Sequence, residues 1–141
     1  MAVLYPSNEW CQEWKNAIND SEAIEESGKK WGVDFNGNFL FEVTPGGGLD
    51  KTTYLYLEAK EGKCTDSRLV DNPSEVDTGF FCTGPYEAFK LVIKGEKDFI
   101  EGVVRGGFKL KGNMMKIMMH AKFIRAVANS LSTFESTFLG E

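Results

Sequence analysis

Residues 95–113, GEKDFIEGVVRGGFKLKGN, leave the chain few ways to fold. Phe99 to Val104 reads as a short apolar helix, and Gly106-Gly107 ends it. Phe108 and Leu110 then alternate with Lys109 and Lys111, the period of a strand with one buried face. Gly112 stops the strand, and Asn113 can cap a new helix. That helix carries Met114, Met115, Met118 and Met119. A strand feeding directly into a methionine-rich helix gives an adaptable apolar surface, suited to greasy ligands that are not read closely. No catalytic cluster accompanies it.

The remaining pattern is that of one α+β domain over residues 1–141, long enough to bury a core. Two helices are expected within 7–28. Ser7 or Asn8 caps the first, and Trp10, Trp14 and Ile18 form its stripe. Ser21 caps the second, and Gly28 ends it. Trp31 to Phe35 connects to the turn Asn36-Gly37. Sheet and helices follow over 33–130. Phe39, Phe41 and Val43 alternate with Leu40 and Glu42, and Leu55, Leu57 and Ala59 alternate with Tyr54, Tyr56 and Glu58. The glycine-rich loop between them, residues 44–51, reads as a flexible hairpin connection. After the turn Glu61-Gly62, residues 63–70 are polar and belong at a sheet edge. Residues 79–83 make a short strand, and a helix begins after Gly84-Pro85 and closes at Gly95. The last helix runs from Asn113 to about Ser130 with two apolar stripes: Ile117, Ala121, Ile124 and Ala128, and Met115, Met119, Phe123 and Ala126. Two stripes want two partners. The sheet is one. The apolar tail 131–141, a ligand or another subunit supplies the second.

Charge and motifs exclude several functions. A net charge of −5 argues against nucleic acid, whose phosphates demand a basic footprint. Lys109, Lys111 and Lys116 around the last strand suit a solvated face or a weak contact with anionic headgroups at a membrane surface. Cys11, Cys64 and Cys82 are odd in number and widely spaced, as free thiols in a reducing cytoplasm are. The N-terminus lacks a signal-peptide pattern, no stretch is long enough to span a membrane, and FLGE is not a lipidation or peroxisomal signal. The lone His120 has no carboxylate one turn away to orient it as a base, and Lys116 should lower its affinity for a proton. No metal-ligand spacing or phosphate loop occurs, so neither a metal nor a cofactor is called for.

The segment around Gly95–Asn113 resembles the sterol carrier protein type-two domain family. Glu87 and Phe89 match the family's helix, Gly95 and Gly106 its two spaced glycines, and Phe108 to Gly112 its Lys-apolar strand. Asn113 stands where Asp is usual. The connector Trp31-Gly32 and the hairpin Lys60-Glu61-Gly62-Lys63 resemble free-standing prokaryotic members. Asp98-Phe99 stands where proline is common, and Gly107 replaces the usual lysine. The resemblance spans about residues 24–130. It implies a five-stranded, mainly antiparallel sheet covered by helices, with an apolar tunnel between them. It also implies non-enzymatic binding or transfer of a fatty acyl chain, phospholipid, sterol-like or isoprenoid lipid. The candidate ligand contacts are Phe89, Val92, Ile93, Phe99, Val103, Val104, Met114, Met115, Met118, Met119 and Phe123. Two alternatives stand beside the carrier: an interaction domain docking on a partner enzyme or forming a homodimer, and a small acyl-substrate enzyme using His120.

Overall fold

The computed structural model describes residues 2–141. Its centre is a five-stranded sheet that runs, in spatial order, through residues 63–70, 53–60, 39–44, 80–85 and 109–111. The strands are β2 (Phe39–Thr44), β3 (Thr53–Lys60), β4 (Lys63–Val70), β5 (Phe80–Pro85) and β6 (Lys109–Lys111). All neighbours are antiparallel except β2 and β5, which run parallel with Phe39 opposite Phe80. Strands β3 and β4 meet at Glu61-Gly62, both of which hold positive φ. A two-residue hairpin whose twist matches its strands requires such values.

The alternation read from the sequence separates two faces. Phe39, Val43, Leu55, Leu57, Phe80 and Cys82 are buried in the main core. The other face is not merely solvated: Leu40, Tyr56 and Val70 form a second buried cluster against Tyr54, Val76 and Phe81. A capped turn at Pro73–Glu75 leads to Val76. Asn72 accepts from Ser74 there, while Glu75 accepts from the Asn72 N–H.

Helix α1 (Asn8–Asn19) begins at Ser7, whose hydroxyl accepts from the Trp10 N–H at 3.0 Å. Its stripe of Trp10, Cys11, Trp14 and Ile18 is buried. Polar side chains of α1 also close the sheet's open side at β4, which among the described residues pairs only with β3. Asn19 accepts from the Cys64 N–H and donates to the Cys64 carbonyl, both at 2.8 Å. Gln12 donates to the Ser67 carbonyl, and Asn8 accepts from the Leu69 N–H. Unpaired edge groups would otherwise recruit another strand. Replacing Asn19 with alanine strips two bonds from partly buried backbone and is expected to lower stability by about 1–2 kcal/mol. Urea titration measures this, and a loss under about 0.5 kcal/mol would show that water serves Cys64 as well.

Helix α2 (Glu22–Ser27) is capped by Ser21 and ends at Gly28, as the sequence pattern requires. The reason for glycine there is room rather than handedness. Its φ is −101°, but a Cβ would lie 2.6 Å from the Phe123 ring and 2.7 Å from the Gly62 Cα.

Helix α3 (Tyr86–Ile93) follows Pro85, and α4 (Phe99–Val104) is capped by Asp98. Phe108 is buried against Phe89 and Phe99, with ring centroids 4.7 and 5.3 Å away. This strand therefore faces the helices, as its alternation requires.

Two expectations are corrected. The last helix is two: α5 (Met114–Met119) and α6 (Ala121–Asn129), broken at His120 with φ −110° and ψ 29°. The His120 ring stands edge-on to Trp31 at 5.4 Å, and the break lets Ile117 on one helix and Phe123 and Ile124 on the other all reach the core. The glycine-rich loop is pinned rather than flexible. Gly46 and Leu49 exchange backbone hydrogen bonds, and a Cβ on Gly48 would lie 2.9 Å from the Leu139 backbone. The apolar tail, whose role the sequence left open, forms β7 (Ser136–Phe138), parallel to β1 (Val3–Tyr5). The Trp10 indole donates to Ser136 and the Trp14 indole to Ser130.

Candidate functional site

The sheet's inner face and the helices do not meet everywhere. Between them lies a cavity of about 70 Å³. The sheet contributes Phe39, Phe41, Leu55, Leu57 and Ala59. Helix α1 contributes its Trp10, Trp14 and Ile18 stripe, and α3 contributes Phe89, Val92 and Ile93. Phe99 of α4 and Phe123, Ile124, Val127 and Ala128 of α6 complete most of the wall, with Leu131 beyond. Large rings from the sheet and the helices meet across the cavity at ring-contact distances. Phe41 is 6.0 Å from Trp14 and 6.0 Å from Phe89.

The chemistry of this wall is contact. No carboxylate or imidazole lines it among the described residues; Lys63 does, and its ammonium is held by Glu25 at 3.3 Å. Burial pushes the Tyr5 phenol above its ordinary range and the Cys11, Cys64 and Cys82 thiols up to about 12, so these groups stay neutral. Protonated thiols are poor nucleophiles. His120 is not part of the wall. Burial, then Lys116 and Lys30, lower its affinity for a proton, in the direction read from the sequence but with burial as the larger cause.

The structure brings together only some of the residues singled out from the sequence. Phe89, Val92, Ile93, Phe99 and Phe123 line the cavity. Val103 and Met114 are half-buried against the core. Val104, Met115, Met118 and Met119 are exposed, at 64, 70, 50 and 68%. The reason is helical geometry. Ile117 takes the core-facing side of α5, and Met115 and Met119 lie about 160° round the helix from it. The methionine stripe is thus on the outside. The walls supplied by α1 and by β2 and β3 were not among the candidates, although their stripes were legible. Spacing shows that α1, β2 and β3 each have an apolar face, not whether the buried faces enclose a gap.

Comparison with known proteins gives a consistent picture. Residues 17–125 match the model of the SCP-2 sterol transfer family. No curated protein sequence matches the chain. Among solved structures, a crystal structure of sterol carrier protein 2 superposes with a TM-score of 0.77 at 20% identity, over 89% of this chain and 95% of that one. A conserved hypothetical protein from Thermus thermophilus, described as possibly a sterol carrier protein, superposes with a TM-score of 0.82 at 18% identity, over 97% and 94%. The ubiquinone synthesis protein UbiJ-SCP2 shares the fold with a TM-score of 0.53 at 10% identity, over 84% and 87%.

Proposed function

This chain belongs to the SCP-2 sterol transfer family, and from that premise we propose that it binds and carries an apolar lipid chain between sheet and helices without catalysing a reaction. One observation supports the reading above all: the gap between the layers is walled mainly by aromatic and aliphatic side chains from both, with no carboxylate or imidazole among the described residues that line it. Small-molecule sites usually measure roughly 300–1,000 Å³. A cavity of about 70 Å³ therefore admits an acyl chain only as side chains such as Phe41 and Phe99 move aside. Burying eight to ten methylenes at about 0.8 kcal/mol each yields roughly 6–8 kcal/mol before ordering costs. Binding is therefore of micromolar class at best, weak enough for release. Fatty acyl, phospholipid, sterol-like and isoprenoid chains all fit this chemistry. Three buried, free cysteines suit a cytoplasmic carrier.

The exposed face of α5 is where we place the carrier's passing contact with an anionic bilayer. Between Glu101 and Glu135 the chain has no acidic residue, yet it carries Lys109, Lys111, Lys116 and Lys122, besides Arg105 and Arg125, which pair with Glu101 and Asp98. Exposed methionines amid this run of cations complement a negatively charged lipid surface. A second copy would set like charges against each other.

Delivery of a fluorescent fatty acid to vesicles containing phosphatidylserine tests both statements. The wild type is expected to bind the fatty acid saturably and to release it faster to these vesicles than to neutral ones. Met118→Glu and Met119→Glu are expected to keep binding within about threefold, since both side chains stay in water, while slowing transfer about tenfold. Absence of saturable binding by the wild type would sink the carrier reading. Transfer unchanged in the variants would remove α5 from the membrane contact.

A further inference from the structure

We propose that Lys90 and Lys94 receive the anionic head group, a carboxylate or phosphate, of a single-chain lipid, and that Glu141 competes with it for that place. The inference rests on the carrier reading of the cavity. Lys90 and Lys94 stand one turn apart at the end of α3, beside Ile93. Both ammonium groups contact the Glu141 carboxylate, that of Lys94 at 3.3 Å. Both also lie over the Phe138 ring, 5.5 and 5.3 Å from its centroid. A cluster of two lysines around one carboxylate is an anion site already in use by the chain itself.

Position makes it a head-group site. Lys94 and Glu141 border a half-polar cleft of about 300 Å³, floored by Phe134 and Phe138. Ile93 and Leu131 line both this cleft and the inner cavity, so these two side chains are the partition between them. A lipid threaded past them has its methylenes among the cavity rings and its head beside Lys94. The Glu141 side chain is 45% exposed and that of Lys94 35%, against 13% for Lys90, so the contact is open to water on the side of Glu141 and Lys94. Exposed ion pairs of this kind are weak and exchangeable. The lysines hold the Glu141 carboxyl below its ordinary range, and Glu87 also acts on Lys90. A ligand carboxylate therefore replaces one bound anion with another. Preference among head groups arises here, while affinity arises from the chain.

Calorimetric titration with lauric acid, lauryl alcohol and lauryl phosphate separates the contributions, because the three share a chain and differ in charge. The wild type is expected to bind both anions more tightly than the alcohol. Glu141→Gln is expected to tighten both anions about three- to fivefold, the scale of an exposed ion pair, without moving the alcohol. The double variant Lys90→Gln/Lys94→Gln is expected to bring acid and alcohol to equal affinity. Lys94→Gln alone should narrow the gap and serves if the double variant melts early. Tighter phosphate than acid would indicate a phospholipid-derived source, and the reverse a free fatty acid. If acid and alcohol bind equally and neither charge variant changes their ratio, the head-group site is refuted while the carrier reading stands. If none of the three binds the wild type, both fall together.

Discussion

Replacing Trp31 with alanine is expected to destabilise the protein by about 4 kcal/mol, in the range found when a buried large aromatic is truncated. Trp31 is fully buried. Its indole is stacked on Phe39 at 5.8 Å and Phe80 at 5.3 Å, with Phe123 at 5.2 Å and Phe35 edge-on at 5.0 Å. Its N–H donates to the Gly37 carbonyl at 2.9 Å. One side chain thus ties the connector, two strands and α6 together. Truncation removes those contacts and leaves the Gly37 carbonyl without a donor. Urea unfolding measures the change as a lower midpoint at constant slope. Trp31→Phe should recover part of the loss, since it restores ring packing but not the hydrogen bond. A cost below about 1 kcal/mol for the alanine variant would mean that the core collapses around the gap and that Trp31 does not organise it.

Filling the cavity should affect binding as strongly as removing Trp31 affects stability. Ala128 is a small residue in the wall, on α6. Ala128→Phe would put a ring into much of the space, so an acyl chain would have to compete with covalently attached atoms. Affinity for a fluorescent fatty acid is expected to fall at least about thirtyfold, or roughly 2 kcal/mol. Ala128 is only half-buried, so the new ring can fill empty space rather than overpack a dense core. The melting temperature is therefore expected to stay level or rise slightly. Undiminished binding in a folded Ala128→Phe protein would place the ligand outside this cavity. A protein that binds lipid in neither form would favour an interaction module over a carrier.

The resemblance around Gly95–Asn113 was legible because it depends on spacing. Phe89, Gly95, Gly106 and the Lys-apolar strand occupy fixed steps along the chain, and the family match over residues 17–125 follows. The polar edge strand, the Trp10–Trp14–Ile18 stripe and the caps at Ser7, Ser21 and Asn113 were legible for a similar reason. Each is a local pattern whose period or hydrogen bond involves neighbouring residues.

The features that escaped the sequence depend on distant partners. Met115 and Met119 are apolar and correctly spaced for a helix, yet spacing alone does not say which side of α5 meets the core. Ile117 decides that by being seated in it. The His120 ring at the helix break stands edge-on to Trp31, which lies far away in sequence. The β1–β7 pair joins the two ends of the described chain through strands of three residues, too short to show a period. The gap that makes a site is no property of a single residue, for it is the space that remains when rings from α1, α3, α6 and the sheet reach their contact distances. Sequence determined most of the elements, and the buried stripes of α1, β2 and β3, because these follow from local periodicity and capping. Only tertiary packing decided which buried faces stand apart enough to leave room for a ligand.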